Sequence, residues 1–302
     1  MTPGPQGSLR LFRLFGIDVY VHWAWAFVAI YQIQYRAHEY SSIAWGIAEY
    51  LTLFLIVLVH EFGHALATRQ VGGSAEQILL WPFGGVAYVS PPPRPGAELW
   101  SIAAGPLVNV VLFFVLSFVV ATNHIPLWID IPLPDTSNFL RSIWWMNSLL
   151  LMFNMLPVYP LDGGQILRAL LWFVLGRARS MYVAAVVGFI GVAGLAMYAL
   201  NEHSIWLGLI TFYIFQNCRR GWAHAKALTA MEQQPRRTDF ACPSCHMSPP
   251  IGALWRCPQC ETAFDTFETQ AVCPNCHLEF PATRCLNCHV SSPILNWRTP
   301  VR

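Results

Sequence analysis

The sequence predicts an all-α polytopic membrane protein with short β-strands at one face and a small cysteine-rich domain at its C-terminal end. Of its 302 residues, 55% are hydrophobic and 11% are charged, whereas a soluble domain carries roughly 25% charged residues. Eight of the nine cysteines stand in four Cys-x-x-Cys pairs after residue 240. The composition excludes an ordinary soluble protein, and the cysteine pattern divides the chain into an apolar body and a metal-binding tail.

About six stretches of the body approach the roughly 20 apolar residues that a helix needs to cross a bilayer. They lie at 20–36, 44–68, 98–122, 139–157, 181–200 and 204–218. The apolar segment 163–176 is too short to cross, and we interpret it as the continuation of the fourth helix beyond a break. Arginine and lysine near the span ends collect on the side of the N-terminus and leave Arg36 and Arg141 on the other. This bias predicts a multi-pass protein with both termini in the cytoplasm.

Two segments of the body have the composition of strands. Residues 17–22 alternate with period 2, and residues 78–89 are rich in strand-forming residues around the pair Gly84-Gly85. Alternation and β-branched or aromatic residues next to glycine are typical of short strands. We expect both segments to lie at the cytoplasmic side of the membrane.

A metal-binding pattern lies inside the second predicted span. His60, Glu61 and His64 form the sequence His-Glu-x-x-His. Two imidazoles four residues apart share one face of a helix and can bind the same zinc ion. Glu61 occupies the position of the general base in zinc peptidases with this pattern. Helix packing alone explains these residues poorly, since a charge at the centre of a span costs about 2.5–3.5 kcal/mol.

A catalytic zinc ion needs a third protein ligand, and Asp162 is the strongest candidate. Pro157 and Pro160 before it and Gly163-Gly164 after it interrupt an otherwise apolar helix. Irregular backbone at membrane depth is tolerated where it is buried in protein or lines a wet cavity. The alternative interpretation is that Asp162 caps the helix predicted over 163–176.

These residues together resemble the site-2 protease family of intramembrane zinc metalloproteases. The resemblance covers roughly residues 9–216. It rests on the His-Glu-x-x-His sequence, on Gly105-Pro106-Leu107-Val108-Asn109 in the next span, and on Asn154, Pro157 and Leu161-Asp162-Gly163 in a later one. The resemblance implies that His60, His64 and Asp162 bind one catalytic zinc ion. It also implies that Glu61 is the catalytic base and that Asn154 helps to hold the substrate carbonyl or the developing oxyanion.

The same resemblance implies an intramembrane endopeptidase that hydrolyses peptide bonds within or near transmembrane segments of membrane proteins. Its partners would be such a substrate and the lipid bilayer. Gly84 and Gly85 would lie on a strand beside the cleft and bind the substrate, which could pair there as an added strand.

Other functions are less consistent with the sequence. A catalytically silent membrane receptor or adaptor could bind proteins through the cleft and the tail, but binding alone does not require Glu61. A metal transporter would need polar residues at several depths along a path, and a di-iron oxidase would need many more paired histidines. We interpret Asn109 mainly as helix packing, and the glycines at 188, 191 and 194 as a close helix contact.

The tail contains the pairs Cys242/Cys245, Cys257/Cys260, Cys273/Cys276 and Cys285/Cys288. Two such pairs complete one Cys₄ zinc site, so the tail predicts two structural zinc ions. Pairing of consecutive pairs is the simplest arrangement, and pairing of the outer two and the inner two is the alternative. Disulfides are not expected in a reducing cytoplasm.

The domain organisation follows from these patterns. We expect a metalloprotease domain at 1–218, a linker helix at 219–239 and two zinc-ribbon modules at 240–302. The formal net charge of +2 is weak, and the tail lacks a dense basic patch with interleaved aromatic residues, so nucleic acid is not expected as a partner. The ribbons are predicted to bind a regulatory protein or to recruit the substrate.

Overall fold

A computed structural model describes residues 7–36, 38–81, 84–129 and 131–297. The chain divides into two compact units, Met1–Ala223 and His224–Arg302.

The first unit is mainly helical. Its helices are α1 (Trp25–Arg36), α2 (Ile43–Gln70), α3 (Pro95–Thr122), α4 (Asp135–Asn154), α5 (Asp162–Leu175), α6 (Arg177–Asn201) and α7 (Ile205–Gln233), the last of which extends beyond this unit. As predicted, the fourth long apolar stretch is broken, and α5 follows the break as a separate helix.

Within the described residues, three helices are long and apolar enough to cross a membrane, namely α2, α3 and α6. The predicted number of six spans is not confirmed. α1 begins only after a strand has ended and has 12 residues, or about 18 Å of helix. α4 is less apolar because it contains Asp135 and Arg141. α7 becomes polar from Arg219 onward.

A four-stranded sheet accompanies these helices. Its strands are β1 (Ser8–Leu14), β2 (Ile17–His22), β3 (Ser74–Trp81) and β4 (Gly84–Ser90), in the order β1-β2-β3-β4. β2 and β3 are parallel and are joined through α1 and α2, because a parallel pair requires a long crossover. The predicted strands at 17–22 and 78–89 are confirmed, with Pro82 and Phe83 outside the described residues.

The sheet packs against the C-terminal half of α2. Ile17 and Val19 of β2 and Ile78 and Leu80 of β3 are fully buried in one cluster with Phe62 of α2. Alternate residues of a strand point to the same face, so one apolar face of the sheet covers the helix next to the His-Glu-x-x-His sequence. This packing places β4, an edge strand, beside that sequence.

A buried ion pair connects α3 to α5. Glu98 lies in the first turn of α3, and its carboxylate binds the guanidinium of Arg168 in α5, with side chains 9% and 13% exposed. Because α5 begins at Asp162, this pair helps to fix the helix that carries the candidate third ligand.

The second unit is small and has two short hairpins. β5 (Trp255–Arg256) pairs with β6 (Ala263–Phe264), and β7 (Thr283–Arg284) pairs with β8 (Ser291–Ser292), followed by a 3-10 turn at Ile294–Trp297. Its largest apolar cluster contains Phe267, Trp297, Cys242 and Cys285. Little apolar surface is available to such a unit, so bound metal would stabilise its fold.

Candidate metal centre

His60, His64 and Asp162 meet in the first unit. The Asp162 Oδ2 atom lies 3.1 Å from His60 Nε2 and 3.5 Å from His64 Nε2, and the two Nε2 atoms are 3.1 Å apart. The side chains are 4%, 12% and 14% exposed for His60, His64 and Asp162 respectively. The three predicted ligands therefore converge in a buried site.

The spacing of these three atoms fits a zinc ion. A tetrahedral zinc site with ligand distances of about 2.0–2.1 Å places neighbouring donor atoms roughly 3.3–3.4 Å apart. The observed separations of 3.1, 3.1 and 3.5 Å agree with this. Two imidazole nitrogens and one carboxylate oxygen are also a donor set that zinc uses in catalytic sites, with one position left open.

Close packing of α2 on α3 shapes the site. A Cβ atom on Gly105 would lie 2.2 Å from His64 Nε2, and one on Gly63 would lie 2.7 Å from the carbonyl oxygen of Ala104. Neither position could carry a larger residue without displacing its neighbour. Glycine at these two positions therefore lets α3 approach the imidazoles directly.

Both imidazoles are oriented through their Nδ1 atoms. His64 Nδ1 donates to the carbonyl oxygen of Ser101 at 2.9 Å, and His60 Nδ1 donates to Asn109 Oδ1. Each bond leaves Nε2 free to bind a metal, as in other metal sites in which a second partner fixes the tautomer.

Asn109, whose position in the sequence predicted mainly helix packing, contacts the His60 imidazole. It is fully buried, and its Nδ2 donates to Asn147 Oδ1 at 2.8 Å while Asn147 Nδ2 donates to the Asn109 carbonyl at 3.0 Å. The pair joins α3 to α4 and fixes the oxygen that faces His60. A lone amide in an apolar span was the available signal, but the partner could not be read from spacing.

Replacing Asn109 with alanine should weaken zinc binding by about 10- to 100-fold, the range seen when a supporting partner of a ligand is lost. The control is Asn123→Ala, since Asn123 follows the same helix and its side chain bonds the Val119 carbonyl of that helix. Zinc affinity in metal buffers measures the difference. Equal affinities for the two variants would show that Asn109 does not support His60.

Glu61 lies next to the candidate metal ligands and contacts β4. It is 5% exposed, and its Oε2 accepts a hydrogen bond of 3.0 Å from the backbone N–H of Ala87. A Cβ atom on Gly85 would lie 2.2 Å from Glu61 Cγ, so the glycine at position 85 makes room for this side chain. Glu61 and β4 are thus in direct contact, which the sequence analysis did not predict.

Asp162 and Asn154 lie on either side of the break between α4 and α5. Asp162 is the first residue of α5, where Leu161 is the N-cap and no side chain caps the helix. The capping alternative is therefore wrong, because the carboxylate faces the imidazoles instead. Asn154 ends α4 and is half-buried, and within the described residues no hydrogen bond of its side chain is found. Its role stays a prediction.

The tail cysteines form two further groups. Cys242, Cys245, Cys285 and Cys288 meet in one group, and Cys257, Cys260, Cys273 and Cys276 meet in the other. The expectation of consecutive pairing is therefore wrong. The first and last pairs form one group and the two middle pairs form the other, which is the alternative arrangement. The apolar cluster around Phe267 and Trp297 brings the first and last pairs together, a long-range contact that pair spacing does not encode.

All eight tail cysteines are free thiols. Sulfur atoms are 3.7 and 3.8 Å apart in the outer group and 3.5 Å apart in the inner group, close to the roughly 3.8 Å of a tetrahedral site with Zn–S distances of about 2.3 Å. Burial raises the pKa of Cys245, but hydrogen bonds from the Met247 backbone and the Asn287 side chain outweigh it and lower this pKa to about 7. The donor sets suit structural zinc.

Comparison with known proteins agrees with this geometry. The model of peptidase family M50 matches residues 48–129 and 130–198. A zinc metalloprotease of Methanocaldococcus jannaschii is 32% identical over 213 residues, which are 69% of this chain and 58% of that protein. A metalloprotease candidate of Synechocystis sp. is 30% identical over 246 residues, 75% of this chain and 63% of the relative. The chain thus spans about three fifths of the length of these relatives.

A solved structure is also similar. The site-2 protease from Methanocaldococcus jannaschii superposes with a TM-score of 0.52 at 30% sequence identity, covering 71% of this chain and 95% of that one.

Proposed function

Because the chain belongs to peptidase family M50, whose site-2 protease members are zinc metalloproteases, we propose that it is an intramembrane zinc endopeptidase. It would hydrolyse peptide bonds within or near the transmembrane segments of membrane proteins. The observation that carries this proposal is the buried group of His60, His64 and Asp162 with Glu61 beside it.

The residues of this group have distinct proposed roles. His60, His64 and Asp162 would hold the metal. Zinc in such a site supplies Lewis-acid activation of water and of a carbonyl oxygen. Glu61 would accept a proton from the attacking water, and its bond with the Ala87 N–H orients the carboxylate for that step. Asn154 would donate a hydrogen bond to the developing oxyanion, an interaction worth about 2.7–4 kcal/mol in comparable sites.

We propose that β4 presents the substrate to the site. A substrate helix satisfies its backbone groups internally, so it must unwind before it can be cut. β4 is an edge strand, and pairing with such an edge replaces the lost main-chain hydrogen bonds. Gly84 and Gly85 would line this contact next to Glu61. Substrate binding should then slow amide hydrogen exchange at residues 84–87, and unchanged exchange there would exclude this mode.

The proposed membrane arrangement has six spans and cytoplasmic termini. α4 and α7 have 20 and 29 residues, enough for about 30 Å and 44 Å of helix, and α1 would cross together with the residues that flank it. The proposed division is a protease domain at 1–218, a linker helix at 219–239 and zinc ribbons at 240–302. The excess of arginine and lysine on one side of the spans supports this orientation.

We further propose two structural zinc ions in the tail besides the one in the body. The two Cys₄ groups and their sulfur spacing support this number. The tail would bind a regulatory protein or recruit the substrate, because zinc ribbons commonly act as small binding modules. Its sequence lacks the dense lysine and arginine of a nucleic-acid-binding module.

Cleavage of a reconstituted single-span protein tests the proposed function. The full-length chain in liposomes should cut it within or next to the span, as located by mass spectrometry. A chelator should stop cleavage, and added zinc should restore it. The alternative, a silent receptor, predicts that the single-span protein binds and stays intact in the presence of zinc.

A further inference from the structure

The segment between α4 and α5, residues 155–161, leads directly into Asp162. Its backbone packs against the first turn of α5. A Cβ atom on Gly163 would lie 2.4 Å from the Met155 carbonyl oxygen, and one on Gly164 would lie 2.4 Å from the Tyr159 nitrogen. On this side the segment has no room for even one methyl group.

α6 closes the segment from the opposite side. A Cβ atom on Gly191 would lie 2.5 Å from Val158 Cγ2. One on Gly188 would lie 2.7 Å from Cys218 Sγ and 3.4 Å from the Tyr159 carbonyl oxygen. The close contact predicted for Gly188 and Gly191 is therefore made with the segment and with α7, and the same prediction for Gly194 is wrong, since an added Cβ there has no atom within 4 Å.

α7 supplies the rest of the contact. Cys218 is fully buried, and its thiol donates to the Tyr159 carbonyl oxygen at 3.0 Å. A Cβ atom on Gly221 would lie 2.9 Å from Tyr159 Cε1. α6 thus contacts both Val158 and Tyr159, and α7 contacts Tyr159, a few positions before the candidate ligand.

Other glycines of these helices show that the fit is local. Gly194 of α6 and Gly208 of α7 have no atom within 4 Å of an added Cβ. A methyl group at either position would therefore meet open space. Tight packing occurs where the two helices meet the segment and is not a general property of their glycines.

We propose that Gly188 and Gly191 of α6 and Cys218 and Gly221 of α7 are positioning residues for the third metal ligand, Asp162. The inference rests on the proposed metal site. Ligand distances must hold to about 0.2 Å, and the segment has no regular secondary structure of its own to fix its last residue. The family model ends at residue 198, so the contribution of α7 lies beyond the matched region.

Zinc affinity of the full-length chain tests this inference. The membrane site is counted as the zinc per chain in excess of that in Asp162→Ala, measured across zinc buffers. Gly188→Ala and Gly221→Ala should weaken this site at least 10-fold, as lost supporting contacts do. The matched controls Gly194→Ala and Gly208→Ala should stay within about twofold of the wild type, since these methyl groups fit without strain.

Two variants at Cys218 separate positioning from a general loss of folding. Cys218→Ala removes the hydrogen bond without a clash and should weaken zinc binding by about 2- to 10-fold, whereas Cys218→Ser keeps a donor and should restore it. Adding Gly188→Ala to Cys218→Ala should cost little more, because the thiol that obstructs the methyl group is gone.

The zinc measurements distinguish failure of the positioning role from failure of the proposed metal site. Wild-type affinity in Gly188→Ala, Gly221→Ala and Cys218→Ala would overturn the positioning role. A wild-type chain with no more zinc than Asp162→Ala would instead contradict the proposed metal site itself.

Discussion

Replacing Asp162 with alanine should remove one zinc ion per chain and leave the two in the tail. The substitution deletes one of three protein ligands, and the carboxylate oxygen lies 3.1 and 3.5 Å from the two imidazole nitrogens. The loss of affinity should exceed the 10- to 100-fold effect of losing a supporting partner. Elemental analysis of the purified full-length chain measures it.

Asp135→Ala is the matched control for this result. Asp135 also lies in the first turn of a helix, α4, but it bonds Ser41 and is remote from the imidazoles. This variant should keep all three zinc ions. If Asp162→Ala also keeps three, the third ligand is another residue and the observed convergence of the three side chains has a different meaning.

Replacing Glu61 with glutamine should lower the cleavage rate at least 100-fold, since general-base catalysis contributes about 10²–10⁴-fold. The zinc content should not change. Glutamine has nearly the same shape and keeps an oxygen that can accept the Ala87 N–H bond, so the strand beside it should stay in place. What it lacks is the ability to take a proton.

Single-turnover cleavage of a reconstituted single-span protein, with zinc counted on the same sample, makes this measurement. Glu76→Gln is the control, because Glu76 lies exposed on β3. Undiminished cleavage by Glu61→Gln would refute the assignment of the base. Loss of zinc in this variant would place Glu61 among the groups that hold the metal.

The candidate metal ligands and the candidate base could be predicted from the sequence, whereas the residues that hold them in place could not. His60 and His64 lie four residues apart on one helix, so local geometry alone places them on one face, and Glu61 directly follows the first of them. Asp162 was identifiable because proline and glycine interrupt a span around it. Both features are local in sequence and depend on strong residue preferences.

The supporting contacts depend on how helices meet in space. Asn109 reaches His60 across a helix interface, and Cys218 reaches Tyr159 from a helix far along the chain. Either residue alone has many ordinary explanations. The predicted six spans are not confirmed where polar residues such as Arg141 lie within an otherwise apolar helix, because composition does not separate a spanning helix from a half-buried one.

The nested cysteine groups have a consequence for the order in which the tail folds during synthesis. The inner group is complete once Cys276 has left the ribosome, whereas the outer group joins Cys242 to Cys288 and must wait for the last pair. Domains generally fold as their residues emerge, and long-range closure is slow because it costs loop entropy. The inner group should therefore acquire its metal first and shorten the effective loop that the outer group has to close. Until then, the two thiols of the first pair stay exposed to other metals and to oxidants.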